Sequence, residues 1–231
     1  MSKFEHINVS GNNNQFGNNN VQNNTVNNNN NYNRNNNDKD EENAPALIFS
    51  AVAGAVAIIW WFFNNIERIY YYLNIITLSS AILSFFSLCI LIFNEQIKKE
   101  DFFRFFGSVI SSVGLFLLAI FAYNHAPNDI IQLSQKVKLI DFWKSLTEHG
   151  RNIALANFIS SIIIAISAIF SHLSSLRQFA YSLSNANRTG LWYRVYSSMK
   201  IFKMRISAFI FILASGLVLF LLNGAFPGLD N

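Results

Sequence analysis

The chain has 231 residues, 52% of them apolar and only 13% charged, with a formal charge of +4. Soluble domains carry about 25% charged residues, so the composition excludes an ordinary globular fold and places the chain among polytopic membrane proteins. A lone cysteine, Cys89 inside an apolar run, excludes an intramolecular disulfide framework and a thiolate metal cluster.

In chain order the first element is an asparagine-rich tail, residues 1–45. So few apolar side chains cannot offset the entropy of ordering, which predicts disorder. The tract is nevertheless regular: Gly11, Phe16, Val21 and Val26 stand five apart, and FGNNN, VQNNT and VNNNN form a short pentapeptide array. One such coil cannot bury its apolar side alone, so stacking neighbours must come from other chains. In register, the amides would form ladders and the Phe and Val rows a dry seam, as in cross-β assemblies.

A polytopic helical membrane domain is expected over 46–222, followed by a short C-terminal tail, 223–231. The whole reads as an all-α integral membrane protein with four to five transmembrane helices behind a disordered or cross-β-prone tail. Five runs approach the ~20 residues that cross a hydrocarbon core: 46–63, 69–93, 102–123, 153–173 and 201–222. The first is uncharged and ends in an aromatic cluster suited to the headgroup boundary. It lies too far along the chain for a signal h-region. Only "NNIER" separates it from the second, which predicts a tight helical hairpin. Arg104, near the start of the third, is close enough to the boundary to snorkel. With the N-terminus inside, 12 basic residues fall on cytoplasmic segments and 5 on outer ones. The positive-inside rule then favours a cytoplasmic N-terminus, and a multi-pass protein of the cell (inner) membrane is expected. Because the basic residues flank hydrophobic runs, they indicate topology and no nucleic-acid partner.

Between the third and fourth runs, Ile130, Leu133, Val137 and Ile140 fall at helical spacing, which predicts an amphipathic helix lying on the outer interface or packed on the bundle. Between the fourth and fifth, a break at 187–190 predicts a cytoplasmic hairpin extending both membrane helices. Its Trp192, Tyr193 and Tyr196 would lie at the lipid surface or on the partner helix; a basic aromatic patch there also suits anionic lipid.

None of the five runs has an Asp, Glu or Lys near its midpoint, which argues against a proton-coupled transporter. Hydroxyls and amides occur instead: Asn74, Thr77, Ser79, Ser80, Ser84 and Ser87 in the second, Ser108, Ser111 and Ser112 in the third, Asn157, Ser160 and Ser161 in the fourth. Such residues join membrane helices to one another. The same residues read alternatively as a weakly selective pore lining between protomers. Ser50 with Gly54, and Gly107 with Ser111, add small-xxx-small spacing. No HExxH, GxSxG, P-loop or CxxC is present, so neither an enzyme nor a cofactor is expected. His125, Asp129, Asp141, Glu148 and His149 share one loop, where they read as a metal or acid–base cluster or, more simply, as a solvated polar face.

The segment GNNNQFGNNN resembles the short amyloid-signalling motifs at the ends of bacterial and fungal immune proteins, which have Gly, Asn and a Gln-hydrophobic-Gly core. Gln15, Phe16 and Gly17 match that core; Asn14 stands where the version related to necroptosis adaptors has an apolar residue. The resemblance covers about thirty residues. It implies a membrane effector of a bacterial antiphage or cell-suicide system, acting as a homo-oligomer in the lipid bilayer. A cytosolic sensor with a similar Asn/Gly motif would template the tail and cluster the bundles. The alternative is an accessory, sensor or channel-associated membrane subunit whose tail tethers a cytosolic partner.

Overall fold

A computed structural model describes residues 7–8, 15–16, 37–184 and 190–223, with side chains from Ser50 onward. The chain divides into two units, residues 1–50 and 51–231. In the first, Ile7–Asn8 (β1) and Gln15–Phe16 (β2) form a two-residue antiparallel bridge, with Ile7 opposite Phe16 and Asn8 opposite Gln15. Of the residues singled out in the tail, Gly11, Gly17, Val21 and Val26 lie outside the described residues, as do 224–231.

Everything else described is helix and turn. The helices are α1 (Asn37–Asn64), α2 (Ile66–Phe93), α3 (Lys99–Asn124), α4 (Asn128–Lys136), α5 (Leu139–Ser145), α6 (Glu148–Ser184), α7 (Leu191–Ser198) and α8 (Met204–Leu222). The fold is therefore an all-α membrane bundle. Among the described residues, four helices, α2, α3, α6 and α8, are long and apolar enough to cross a membrane. A fifth apolar helical segment, Ser50–Asn64, is shorter than the others.

Asn65 alone joins α1 to α2, and the backbone ladder continues across it through Asn65 N–H to the Trp61 carbonyl (3.1 Å) and Ile69 N–H to the Asn65 carbonyl (3.0 Å). A tight hairpin packed along its length does not result. Residues 51–55 are exposed on every side, and only the last turn of α1, with Ile59, Phe62 and Phe63, enters the core. Phe62 meets Tyr70 and Phe158 edge to face, and the Trp60 indole N–H donates to the Val137 carbonyl at 3.2 Å.

The α2–α3 turn closes with a Schellman pattern: Gln96 N–H donates to the Leu91 carbonyl and Glu95 N–H to the Ile92 carbonyl, both at 3.0 Å. Glu95 has φ 55°, a left-handed conformation normally taken by glycine. Asp101 then stabilises the start of α3, accepting the Lys98 N–H at 3.0 Å and the Arg104 guanidinium at 3.1 Å. Arg104 is thus held by an ion pair at the helix start.

Between α3 and α6 two short helices replace the single amphipathic one expected, because the backbone is extended at Val137 and Lys138. Their apolar face packs on the bundle through Ile130, Phe142 and Leu146. Ile140 falls beyond the break and is 65% exposed. The α6–α8 connection also differs from expectation. α6 does extend well past its apolar run, to Ser184, about 55 Å at 1.5 Å per residue. α8 does not: it begins at Met204, not 201, and α7 is a separate helix laid on α6. Phe202 in the turn before α8 packs on Phe170 of α6 (5.2 Å between rings), which takes the chain out of helical register. Trp192 of α7 meets Phe179 of α6 edge to face and Tyr196 meets Tyr181 at a tilt, the partner-helix placement of this hairpin.

Candidate functional site

In lipid there is no hydrophobic force between apolar helices; close backbone approach and interhelical hydrogen bonds hold them together. The sequence of α2 meets that need with a 3,4-spaced row, Tyr70, Leu73, Thr77, Ser80, Ser84, Ser87 and Leu91, every member buried. α6 carries the matching row Asn157, Ser161, Ile164, Ala168, Ser171, Ser175, Gln178 and Ser182. α3 adds Ser108, Ser112, Leu115, Ala119 and Ala122. A mean spacing of 3.5 residues keeps one stripe facing its neighbours along the whole helix, the period of left-handed coiled coils. Here the stripe is of small and polar residues, while Phe85, Phe86, Ile110 and Ile166 point outward.

The hydroxyls form a continuous seam. At its centre Ser84, Ser108 and Ser175, one from each helix, make a triangle: the single Ser84 hydroxyl proton has Ser108 Oγ (2.6 Å) and Ser175 Oγ (3.1 Å) as acceptors in reach, and Ser108 and Ser175 lie 2.9 Å apart. Toward the α2 C-terminus, Ser87 donates to the Gln178 carbonyl at 3.1 Å. In the other direction, Ser171 donates to Ser80 Oγ (3.3 Å) and Ser112 to the Thr77 carbonyl (2.6 Å). A second cluster seats Tyr70, whose hydroxyl lies 2.6 Å from Ser161 Oγ and donates to Asn157 Oδ1 at 3.4 Å. Asn157 Nδ2 in turn donates to the Ala122 carbonyl (3.3 Å), tying α3 to the pair.

All six candidate pore or packing residues, Ser108, Ser111, Ser112, Asn157, Ser160 and Ser161, are buried within the single chain. Ser108, Ser112, Asn157 and Ser161 hydrogen-bond within it; Ser160 Oγ and Asn74 Oδ1 have no partner among the described residues. Ser108, Ser112, Asn157 and Ser161 tie helices together, and all six side chains are turned away from the outer surface.

Several members were not singled out from sequence: Tyr70, Ser171, Ser175, Gln178 and His172. The 3,4 spacing was the available signal for the first four. His172 Nδ1 lies 2.8 Å from Ser79 Oγ, an imidazole within a membrane-spanning helix and therefore of functional interest by default. The α3–α8 contact uses glycine. A Cβ on Gly107 would collide with the Met204 side chain and one on Gly114 with the Phe211 ring. These pairs, each seven residues apart, let α8 lie close against α3.

The loop constellation does not assemble. His125 and His149 line one cavity of about 310 Å³ at the α3 end of the bundle, with His125 Nδ1 2.9 Å from the Phe121 carbonyl. Asp129, Asp141 and Glu148 are exposed, and among the described residues no group of three or more His, Cys, Asp or Glu is placed to hold a metal ion. No family model, curated protein or solved structure matches the chain.

Proposed function

We propose that this chain is a membrane effector that oligomerises and permeabilises the inner membrane in a bacterial defence or cell-suicide response. The Asn/Gly-rich tail is its assembly motif, displayed on the cytoplasmic side. The observation that carries the reading is the union of a repeat tail with a bundle whose polar interior is largely occupied by its own hydrogen bonds. Such a bundle offers a solute no ready polar path, so its action comes from being gathered.

The seam serines hold each protomer together and do not line the leak. Contact between protomers falls instead to α1, where Ala51, Gly54, Ala55 and Ile58 share one helical face and are all exposed. A Cβ on Gly54 would meet nothing within 4 Å. Small residues at this spacing let two membrane helices approach closely. Tail stacking by cross-β pairing would raise the local concentration of these faces.

The test replaces residues 1–42 with an inducible oligomerisation domain and follows dye leakage and growth. Toxicity should become inducer-dependent, and Gly54→Leu should suppress it at unchanged membrane level. In parallel, residues 1–45 fused to a soluble reporter should form self-seeding, thioflavin-positive fibres, lost in Phe16→Asp/Gln15→Lys. Forced clustering without leakage would remove the effector reading in favour of an accessory subunit that tethers a cytosolic partner.

A further inference from the structure

At the end of the bundle where α3 and α8 begin and α6 ends, a cavity of about 250 Å³ is lined by Arg104, Arg177, Gln178, Tyr196, Lys203 and Arg205, among others. No carboxylate lines it. Arg104 is already paired with Asp101 (3.1 Å) and Glu100 (3.4 Å). Those are the only ion pairs among the described residues, so Arg177, Lys203 and Arg205 have no acidic partner there.

Two residues that line this space also carry buried donors with no acceptor among the described residues. Gln178 is only 8% exposed; its backbone carbonyl takes the Ser87 hydroxyl, but its side-chain Nε2 has no partner among the described residues. Arg177 places its guanidinium over the Tyr196 ring at 4.6 Å, and its buried Nε has no partner among the described residues. Buried donors are almost always satisfied, so two orphans on adjacent residues of one cationic cavity indicate a missing acceptor. Contact with Tyr196 holds the guanidinium and reduces the freedom lost when it binds. The first turn of α8 starts at Met204 beside the same cavity, adding the positive end of a 19-residue helix.

We propose that this cavity binds a phosphate group. A phosphate has only acceptors to offer, has enough oxygens for several donors at once, and matches the guanidinium fork. The cavity is smaller than most small-molecule sites, roughly 300–1,000 Å³, and suits a single phosphate or lipid headgroup. Phe102, Phe103 and Phe106 project from the start of α3 at the same end, as an aromatic belt does at the headgroup boundary. The phosphate is therefore within reach of a lipid headgroup as well as of solution. The site stands independently of the effector reading.

The full chain, purified in detergent and delipidated, is titrated with phosphatidylglycerol, with phosphatidylcholine, and with inorganic phosphate; thermal stability and native mass spectrometry provide the readouts. One phosphatidylglycerol should bind in preference to phosphatidylcholine and raise the midpoint. Arg205→Gln and Gln178→Met should each weaken binding about tenfold with helix content unchanged; Arg205 is exposed, so its variant has little reason to misfold. Lys200→Gln removes one positive charge from a residue that does not line the cavity and should change binding less than twofold. Selective binding of phosphatidylglycerol assigns the site to a lipid headgroup, and equivalent protection by inorganic phosphate assigns it to a soluble phosphate. Binding of neither, or equal weakening by Lys200→Gln, overturns the proposal and leaves the two donors to water.

Discussion

Ser84→Ala is the most direct test of the seam. The change removes one interhelical donor, the hydroxyl proton that Ser108 Oγ at 2.6 Å and Ser175 Oγ at 3.1 Å share. Interhelical hydrogen bonds in membranes average about 0.6 kcal/mol, with a maximum near 1.7. The partners are not orphaned, because Ser108 and Ser175 keep each other at 2.9 Å and Ser175 also donates to the Ser171 carbonyl at 3.0 Å. The lower figure therefore applies once, and the loss should be about 0.6 kcal/mol, roughly a threefold drop in the folded-to-unfolded ratio. Ser84→Leu loses the same donor and forces extra carbons into a fully buried site, adding about 1–3 kcal/mol of overpacking. Steric-trap unfolding in bicelles measures both, with lipid-facing Ile82→Ala as the control, expected to stay within about 0.5 kcal/mol. A Ser84→Ala/Ser108→Ala cycle should show coupling of about 0.5 kcal/mol or more. If alanine and leucine at 84 both unfold like the parent, the seam is neither close-packed nor what holds α2, α3 and α6 together.

Gly114→Leu should displace α8 at a cost of about 1–3 kcal/mol, and pairing it with Phe211→Ala should recover part of the loss; failure of the second change to help would place the strain elsewhere. Glu95→Gly should stabilise by about 1 kcal/mol, since glycine adopts positive φ without the Cβ penalty; an unchanged or lower unfolding midpoint refutes this. For topology, a cysteine at Asp141, which is exposed, should react with an impermeant thiol reagent in intact cells while one at Ser2 stays shielded. The reverse pattern inverts the orientation. Ser134, in the same loop, is a poor reporter because it is buried.

How much of the structure is legible in the chain depends on which physical signal each element leaves. Four spans can be read directly, because crossing a hydrocarbon core demands about twenty apolar residues in a row and little else produces such a run. The membrane class, the helical fold and the polar residues available for packing follow from composition and from the bilayer as solvent. The seam itself is half visible. Thr77, Ser80, Ser84 and Ser87 stand at 3,4 spacing in the chain, but hydroxyls glue helices and line pores equally well, and spacing alone does not decide which. That takes the partners: Ser108 and Ser175 close the triangle only because α3 and α6 converge on α2 from segments up to 91 residues away.

The local breaks are hidden for a different reason. Ile130 to Ile140 has the periodicity of one helix, yet burial of Phe142 against the bundle bends the chain at Val137 and Lys138. Phe202 likewise leaves the helical path to meet Phe170. In both cases an aromatic side chain near the break packs on the bundle, and periodicity has no knowledge of that contact. The basic cavity lies furthest from the sequence. Arg104, Arg177, Lys203 and Arg205 come from three helices and a turn, and each alone reads as a positive-inside flank. Only the folded chain brings them around one space and leaves Gln178 with a donor unused, because charge in a linear sequence records which side of the membrane a segment prefers, while convergence is a property of packing.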